Sequence, residues 1–133
     1  MKKAFTMIEL IFVIAILGVL AMVAIPRLVG SKEDAEITRV RAEIAAIRSS
    51  IQTYRGANLL KQNGKGYPEA LNEKTIEEIT NGTKLSNKYW KVSQTGDTLT
   101  VTISGQRATF NYDKDKGSLT CKDSEPLCVK IEN

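Results

Sequence analysis

The chain has 133 residues, 42% of them hydrophobic and 26% charged, which excludes a disordered or fibrous protein and fits one folded domain. Histidine is absent, which removes the commonest metal ligand and the base of most catalytic triads. The net charge of +4 includes Lys2 and Lys3; setting these aside leaves 17 basic against 15 acidic residues, too slight a surplus to argue for a nucleic-acid partner.

The apolar residues are unevenly spread. Residues 10–25, LIFVIAILGVLAMVAI, contain no polar side chain, and the wider stretch Met7 to Ile25 is interrupted only by Glu9. At about 1.5 Å per residue this stretch nearly crosses a hydrocarbon core of about 30 Å. The two lysines before it predict an N-terminus kept in the cytoplasm and a remainder that is exported. Three readings compete: a secretory signal peptide cut after Val19-Leu20-Ala21, a plain single-span anchor, and a third that accounts for Glu9. A carboxylate in a membrane helix costs roughly 2.5–3.5 kcal/mol near its centre, so it needs a partner. Cleavage after Ala4 would make one. The new α-amino group of Phe5 would stand four residues before Glu9 on the same helical face, in the same subunit or a neighbouring one.

Residues 2–26, KKAFTMIELIFVIAILGVLAMVAIP, resemble the N-terminus of type IV pilins and of type II secretion pseudopilins. On that resemblance Lys2 and Lys3 are the basic leader and cleavage falls between Ala4, where the family usually has Gly, and Phe5, which is then N-methylated. Glu9 is the assembly carboxylate at the fifth mature position, and Gly18 and Pro26 loosen and kink the apolar helix. The resemblance divides the chain into a leader over 1–4, an apolar transmembrane or filament-core helix over 5–27 and a periplasmic head over 28–133. It implies a single-pass protein of the bacterial inner membrane that joins a homo- or hetero-oligomeric filament. A prepilin peptidase, an inner-membrane platform protein and an assembly ATPase would be its partners, with no cofactor. Type II secretion, a type IV pilus and DNA uptake all remain open as the machine. No nucleophile–base pair, phosphate loop or zinc spacing argues for an enzyme.

After Pro26, Ile37, Val40, Ile44, Ile47, Ile51 and Tyr54 recur at alternating steps of three and four. This predicts an amphipathic helix over 31–55, capped by Ser31, with Glu33, Asp34 and Glu36 in its first turn and Gly56 as its stop. The stripe covers less than three heptads, which favours packing on a sheet of the same chain over a coiled coil. Arg39, Arg41, Glu43, Arg48 and Arg55 then fall on faces expected to be mostly solvated, with some pairing between subunits.

Residues 56–68 read as a loop. A short helix follows over Thr75–Thr80, closed by Asn81-Gly82; the triplet Asn81-Gly82-Thr83 also spells a glycosylation sequon, for which a turn is the simpler account. Period-two alternation predicts strands at Tyr89–Ser93, Thr98–Ile103 and Arg107–Tyr112, joined by turns at Gly96 and Gly105, within a sheet placed at about 88–131. The fold class is therefore α+β and pilin-like, a long N-terminal helix packed on a small antiparallel sheet.

Cys121 and Cys128 bound a polar loop, CKDSEPLC. In an oxidising compartment a disulfide closing it would contribute roughly 2–3 kcal/mol; two free thiols or a metal pair are the alternatives. Many pilins close a C-terminal loop this way, so the resemblance adds weight to the disulfide. Asn111, Asp113, Asp115 and Gly117 alternate in NYDKDKG with a faint calcium-loop look. The later Glu is not at its place and Lys114 and Lys116 dilute the charge, so a hairpin turn is the preferred reading. Lys84, Lys88, Tyr89, Trp90 and Lys91 are the nearest thing to a nucleic-acid patch, but Trp90 is expected in the core.

Overall fold

The computed structural model describes residues 4–61 and 66–133, and the side chains of residues 24–31 lie outside that description. The element order is α1 (Met7–Leu60), α2 (Glu73–Ile79), β1 (Trp90–Val92), β2 (Thr98–Ile103), β3 (Gln106–Asp113), β4 (Ser118–Cys121) and α3 (Pro126–Glu132). This is the expected α+β arrangement of a long helix followed by a small antiparallel sheet. The chain divides into two units, Met1–Ala35 and Glu36–Asn133, and α1 contributes to both.

In the second unit the heptad-like stripe of α1 does what its spacing dictates. Ile37, Val40, Ile44, Ile47 and Ile51 are buried, whereas Tyr54 lies at the rim and is exposed. Their partners are the inward residues of a four-stranded meander in the order β1-β2-β3-β4. Leu99, Val101 and Ile103 alternate inward along β2, and Ala108, Phe110 and Tyr112 along β3. The register sets Leu99 opposite Phe110 and Val101 opposite Ala108, with Trp90 opposite Val101 on the other side. The Trp90 and Phe110 rings meet at 6.1 Å between centroids, tilted by 45°. Leu71 and Ile76 close one end of this core, and Leu119, Leu127, Cys128 and Ile131 join it from β4 and α3.

Local chemistry explains where the elements start and stop. Asn72 caps α2, its Oδ1 accepting from the Thr75 N–H at 2.9 Å and the Thr75 hydroxyl at 3.0 Å. Gly82 ends the turn after α2 by donating to the Glu77 carbonyl at 2.8 Å. Ser104 and Gly105, both at positive φ, form the two-residue link that turns β2 into β3 with matching twist. The β3–β4 turn is organised by Asp113, whose Oδ1 accepts from the Asp115 and Lys116 amides at 2.9 and 3.3 Å. Asn111 is not part of that turn but pairs with Thr120 in the ladder. Gly117, at φ +63, closes the turn beneath the Tyr67 ring, in the space a Cβ would need.

Several expectations are corrected. The helix runs unbroken through Ser31 and does not start there, since a continuous backbone ladder makes a mid-helix cap unnecessary. It also passes Gly56, which takes no left-handed turn, and ends at Leu60; one helical glycine costs only about 1 kcal/mol. Residues 57–60 of the expected loop are therefore helical, and 62–65 lie outside the described residues. The sheet has a fourth strand and stops at Cys121, not near 131. Pro126, placed at the first turn where its missing N–H costs nothing, starts α3 instead.

Tyr112 links the sheet to the loop after α1, its hydroxyl donating to the Pro68 carbonyl at 2.7 Å. Burial, with lesser effects of Tyr67, Asp113 and Tyr54, pushes its phenol up to about 12 from 10.0. The folded state thus holds this proton more tightly than the unfolded chain. The stability from this site is complete below pH 10 and is lost as pH rises through about 12. Denaturation midpoints of the chain should fall across that window, and fall less in Tyr112→Phe.

Candidate functional site

The N-terminal end of α1 combines a polar cap with a bare apolar surface. Thr6 and Glu9 form a reciprocal pair at the helix start. The Glu9 carboxylate accepts from the Thr6 N–H and from the Thr6 hydroxyl, both at 2.9 Å, while the Glu9 N–H donates to Thr6 Oγ1 at 3.4 Å. Ser/Thr-x-x-Glu at a helix start satisfies two otherwise orphaned backbone donors, and the helix dipole favours the negative charge there. A carboxylate in these surroundings is already partnered within its own turn.

The expected pairing of Glu9 with the Phe5 α-amino group belongs to a chain cut after Ala4; in the uncut chain Phe5 precedes the helix, which begins at Met7. Here Thr6 holds Glu9, because a side chain at the cap position can reach the N3 carboxylate directly. The sequence carried a signal for it in Thr6-Met7-Ile8-Glu9.

Beyond the cap, the described apolar side chains of the first unit are exposed. Phe5 is 85% exposed, Phe12 65%, Leu20 61% and Met22 79%. Leaving aromatic and branched side chains in water costs roughly 1.5–3 kcal/mol each relative to burial, so a continuous set of them marks a surface made for another apolar phase. Among the described residues, no helix is long and apolar enough to cross a membrane. Val19, Leu20 and Ala21 lie inside α1. Gly18 also lies within the unbroken helix, with open space around the position of a Cβ. Lys2, Lys3 and the side chain of Pro26 lie outside the described residues.

In the head, Cys121 and Cys128 are joined by a disulfide, with Cα atoms 5.7 Å apart. Arg39 stays exposed and pairs with Glu43 one turn on, but three others expected in solvent, Arg41, Arg48 and Arg55, are anchors. Arg41 donates to the Ile131 and Lys130 carbonyls at 3.0 and 2.8 Å, which closes the C-terminal end of α3. Arg48 donates to the Leu119 carbonyl at 2.7 Å and to Glu132 at 2.6 Å. Arg55 donates to the Tyr67 hydroxyl at 2.6 Å. These partners lie in β4, α3 and the loop after α1, far away in sequence, which is why helix-face reasoning missed them.

The lysine patch around β1 is drawn into the same kind of contact. Lys88 donates to the Tyr89 hydroxyl at 3.0 Å, and that hydroxyl donates to Glu36 at 3.0 Å. The Tyr89 hydrogen bond, aided by the nearby Tyr89 and Glu36 oxygens, holds the Lys88 ammonium above the ordinary lysine range. Lys84 faces Glu77 at 3.5 Å. Trp90 is buried as expected and donates to Glu43 at 2.6 Å.

Residues 1–25 match the family model described as the prokaryotic N-terminal methylation motif. The chain is 39% identical over 54 residues to type II secretion system core protein G of Dickeya chrysanthemi, covering 41% of this chain and 35% of that protein. It is 35% identical over 54 residues to the Escherichia coli (strain K12) protein of the same name, covering 41% and 37% of the two chains. It is also 40% identical over 53 residues to type IV major fimbrial protein FimA of Dichelobacter nodosus, covering 40% and 34%. The chain thus matches about a third of the length of these curated relatives, and its residues 1–25 carry the methylation motif. No solved structure matches.

The cap and the charge of Glu9 are separable. Thr6→Val should loosen the first turn by about 0.5–2 kcal/mol and Glu9→Ala should loosen it as well, whereas Glu9→Gln keeps an acceptor for the Thr6 N–H and should stay near wild type. Amide hydrogen exchange over residues 7–10 in the detergent-solubilised chain measures this directly.

Proposed function

We propose that the chain is a structural pilin-like subunit, a pseudopilin, processed by prepilin peptidase and assembled into a periplasmic filament of a type II secretion or type IV pilus-like machine. The observation that carries this reading is a helix half with bare apolar side chains and one capped carboxylate, in a chain whose head has its own complete core. The methylation motif and the protein G and FimA relatives support it. Their names describe assembled structural components, which also supports a non-enzymatic role.

In this reading Lys2 and Lys3 hold the leader in the cytoplasm, cleavage falls between Ala4 and Phe5, and Phe5 is N-methylated. The apolar helix then rests in the inner membrane with the head in the periplasm, where an oxidising milieu suits the Cys121–Cys128 bond. On assembly, Glu9 exchanges part of its contact with Thr6 for the methylated α-amino group of Phe5 of a neighbouring subunit. The apolar helices bundle into the filament core, with Gly18 and Pro26 letting them bend to fit. The platform protein and the ATPase supply the lift out of the membrane.

Intact and fragment masses of the membrane-purified protein test the processing. A mature chain that begins at Phe5 with one added methyl group is the expected result. A chain that begins at Met22 would replace the filament reading with a secreted domain, and an uncut Met1 would leave a plain anchor. Glu9→Gln, which spares the cap, should abolish filament cross-links while leaving the subunit in the membrane.

A further inference from the structure

The C-terminal loop holds a carboxylate that the assembly reading does not use. β4 ends at Cys121, and the Lys122 N–H still donates to the Thr109 carbonyl at 3.1 Å, as one more rung of the ladder. The next rung lacks a strand. The Glu125 side chain takes its place, its Oε2 accepting from the Thr109 N–H and its Oε1 from the Thr109 hydroxyl at 3.2 Å. Backbone bonds from Glu125 N–H to the Lys122 carbonyl and from Cys128 N–H to the Glu125 carbonyl, both 3.0 Å, hold the loop around it. The carboxylate is therefore fixed, and its Oε2 stands 3.9 Å from Cys128 Sγ.

The two sulfurs of the disulfide are not equivalent. Cys128 is 1% exposed, on the buried face of α3 with Leu127 and Ile131, whereas Cys121 at the end of β4 is only partly buried. We propose that thiols attack this disulfide at Cys121 Sγ and that Glu125 guards the bond by making Cys128 a poor leaving thiolate.

The chemistry follows from the placement. An incoming thiolate forms a bond to Cys121 Sγ, the S–S bond breaks, and its electron pair leaves on Cys128 Sγ. The new negative charge then develops in a buried place, beside a carboxylate that cannot turn away, and both features oppose it. A second thiolate would attack the mixed disulfide, releasing Cys121 as thiolate and the attacking thiol as its own disulfide. Closure retraces the path: a disulfide oxidant loads Cys121, and Cys128 displaces the oxidant's thiolate. Glu125 is thus a positioning residue for the loop and an electrostatic brake on its opening.

Reduced glutathione is the probe, applied to the oxidised full-length chain in detergent, with acid quenching and mass mapping of the first adduct. In the wild-type chain the adduct should sit on Cys121, about tenfold or more over Cys128. Glu125→Gln keeps an oxygen for the Thr109 N–H and should open about three- to tenfold faster, still through Cys121, as leaving-group dependence of thiol exchange requires. Thr109→Val removes the hydroxyl bond but keeps the charge, and should open at close to the wild-type rate. An adduct shared equally or found on Cys128 would overturn the proposal, and that measurement needs no variant. So would an unchanged rate in Glu125→Gln, or a Thr109→Val chain that opens as fast as Glu125→Gln, which would make the effect one of loop loosening.

Discussion

The head depends on one seam of β-branched side chains, Ile37, Val40, Ile44, Ile47 and Ile51, buried against the inner face of the sheet. Four strands of three to eight residues have too little apolar surface between them to stand alone. The helix supplies the second layer, and each fully buried side chain of this kind is worth roughly 1.5–3 kcal/mol. Stiff, branched side chains also fix the rotation of the helix against the strands, because a seam one residue out of phase would carry Arg39 or Arg41 into the core.

Once the seam sets that rotation, the polar faces fall into place. Arg41 and Arg48 project from α1 to the end of α3 and to β4. Glu36 and Glu43 project towards Tyr89 and Trp90. Exposed ion pairs contribute little, and Arg39 with Glu43 is of that kind on its exposed side. Guanidinium bonds to otherwise orphaned helix carbonyls are different, since they satisfy backbone groups that the short α3 cannot satisfy for itself. Among the described residues, Glu36, Glu43, Arg41 and Arg48 in the second unit find partners far away in sequence, whereas in the first unit Glu9 finds its partner three residues away and the apolar side chains are exposed.

What was legible in the sequence was what repeats. The step of three and four along α1 and the alternation in β2 and β3 each state a period, and each placed its core residues, with Tyr54 at the end of the stripe the one that falls outside the core. The short elements carry no period. Ser118–Cys121 has one fully buried apolar residue, Leu119, and the loop composition before Pro126 hid the Leu127, Cys128 and Ile131 face of α3. Missing α3 removed the acceptors of Arg41 and Arg48 from view, so those side chains read as solvated. The Thr6–Glu9 pair is legible as Thr-x-x-Glu at a helix start, a signal that the membrane cost of a lone carboxylate overshadows. The motif around Ala4 and Phe5 was legible because its residue types, order and spacing are specific together.

Trp90 is the only tryptophan in the chain. Its ring lies 3% exposed on the edge strand, and its indole N–H is tied to Glu43 on the long helix. The protein therefore carries a single indole fluorophore at the join between helix and sheet. Its emission colour is a gauge of whether that join stays dry. A head that keeps its sheet would hold one blue-shifted spectrum throughout, and one that sheds its sheet would turn red at the step where it does so.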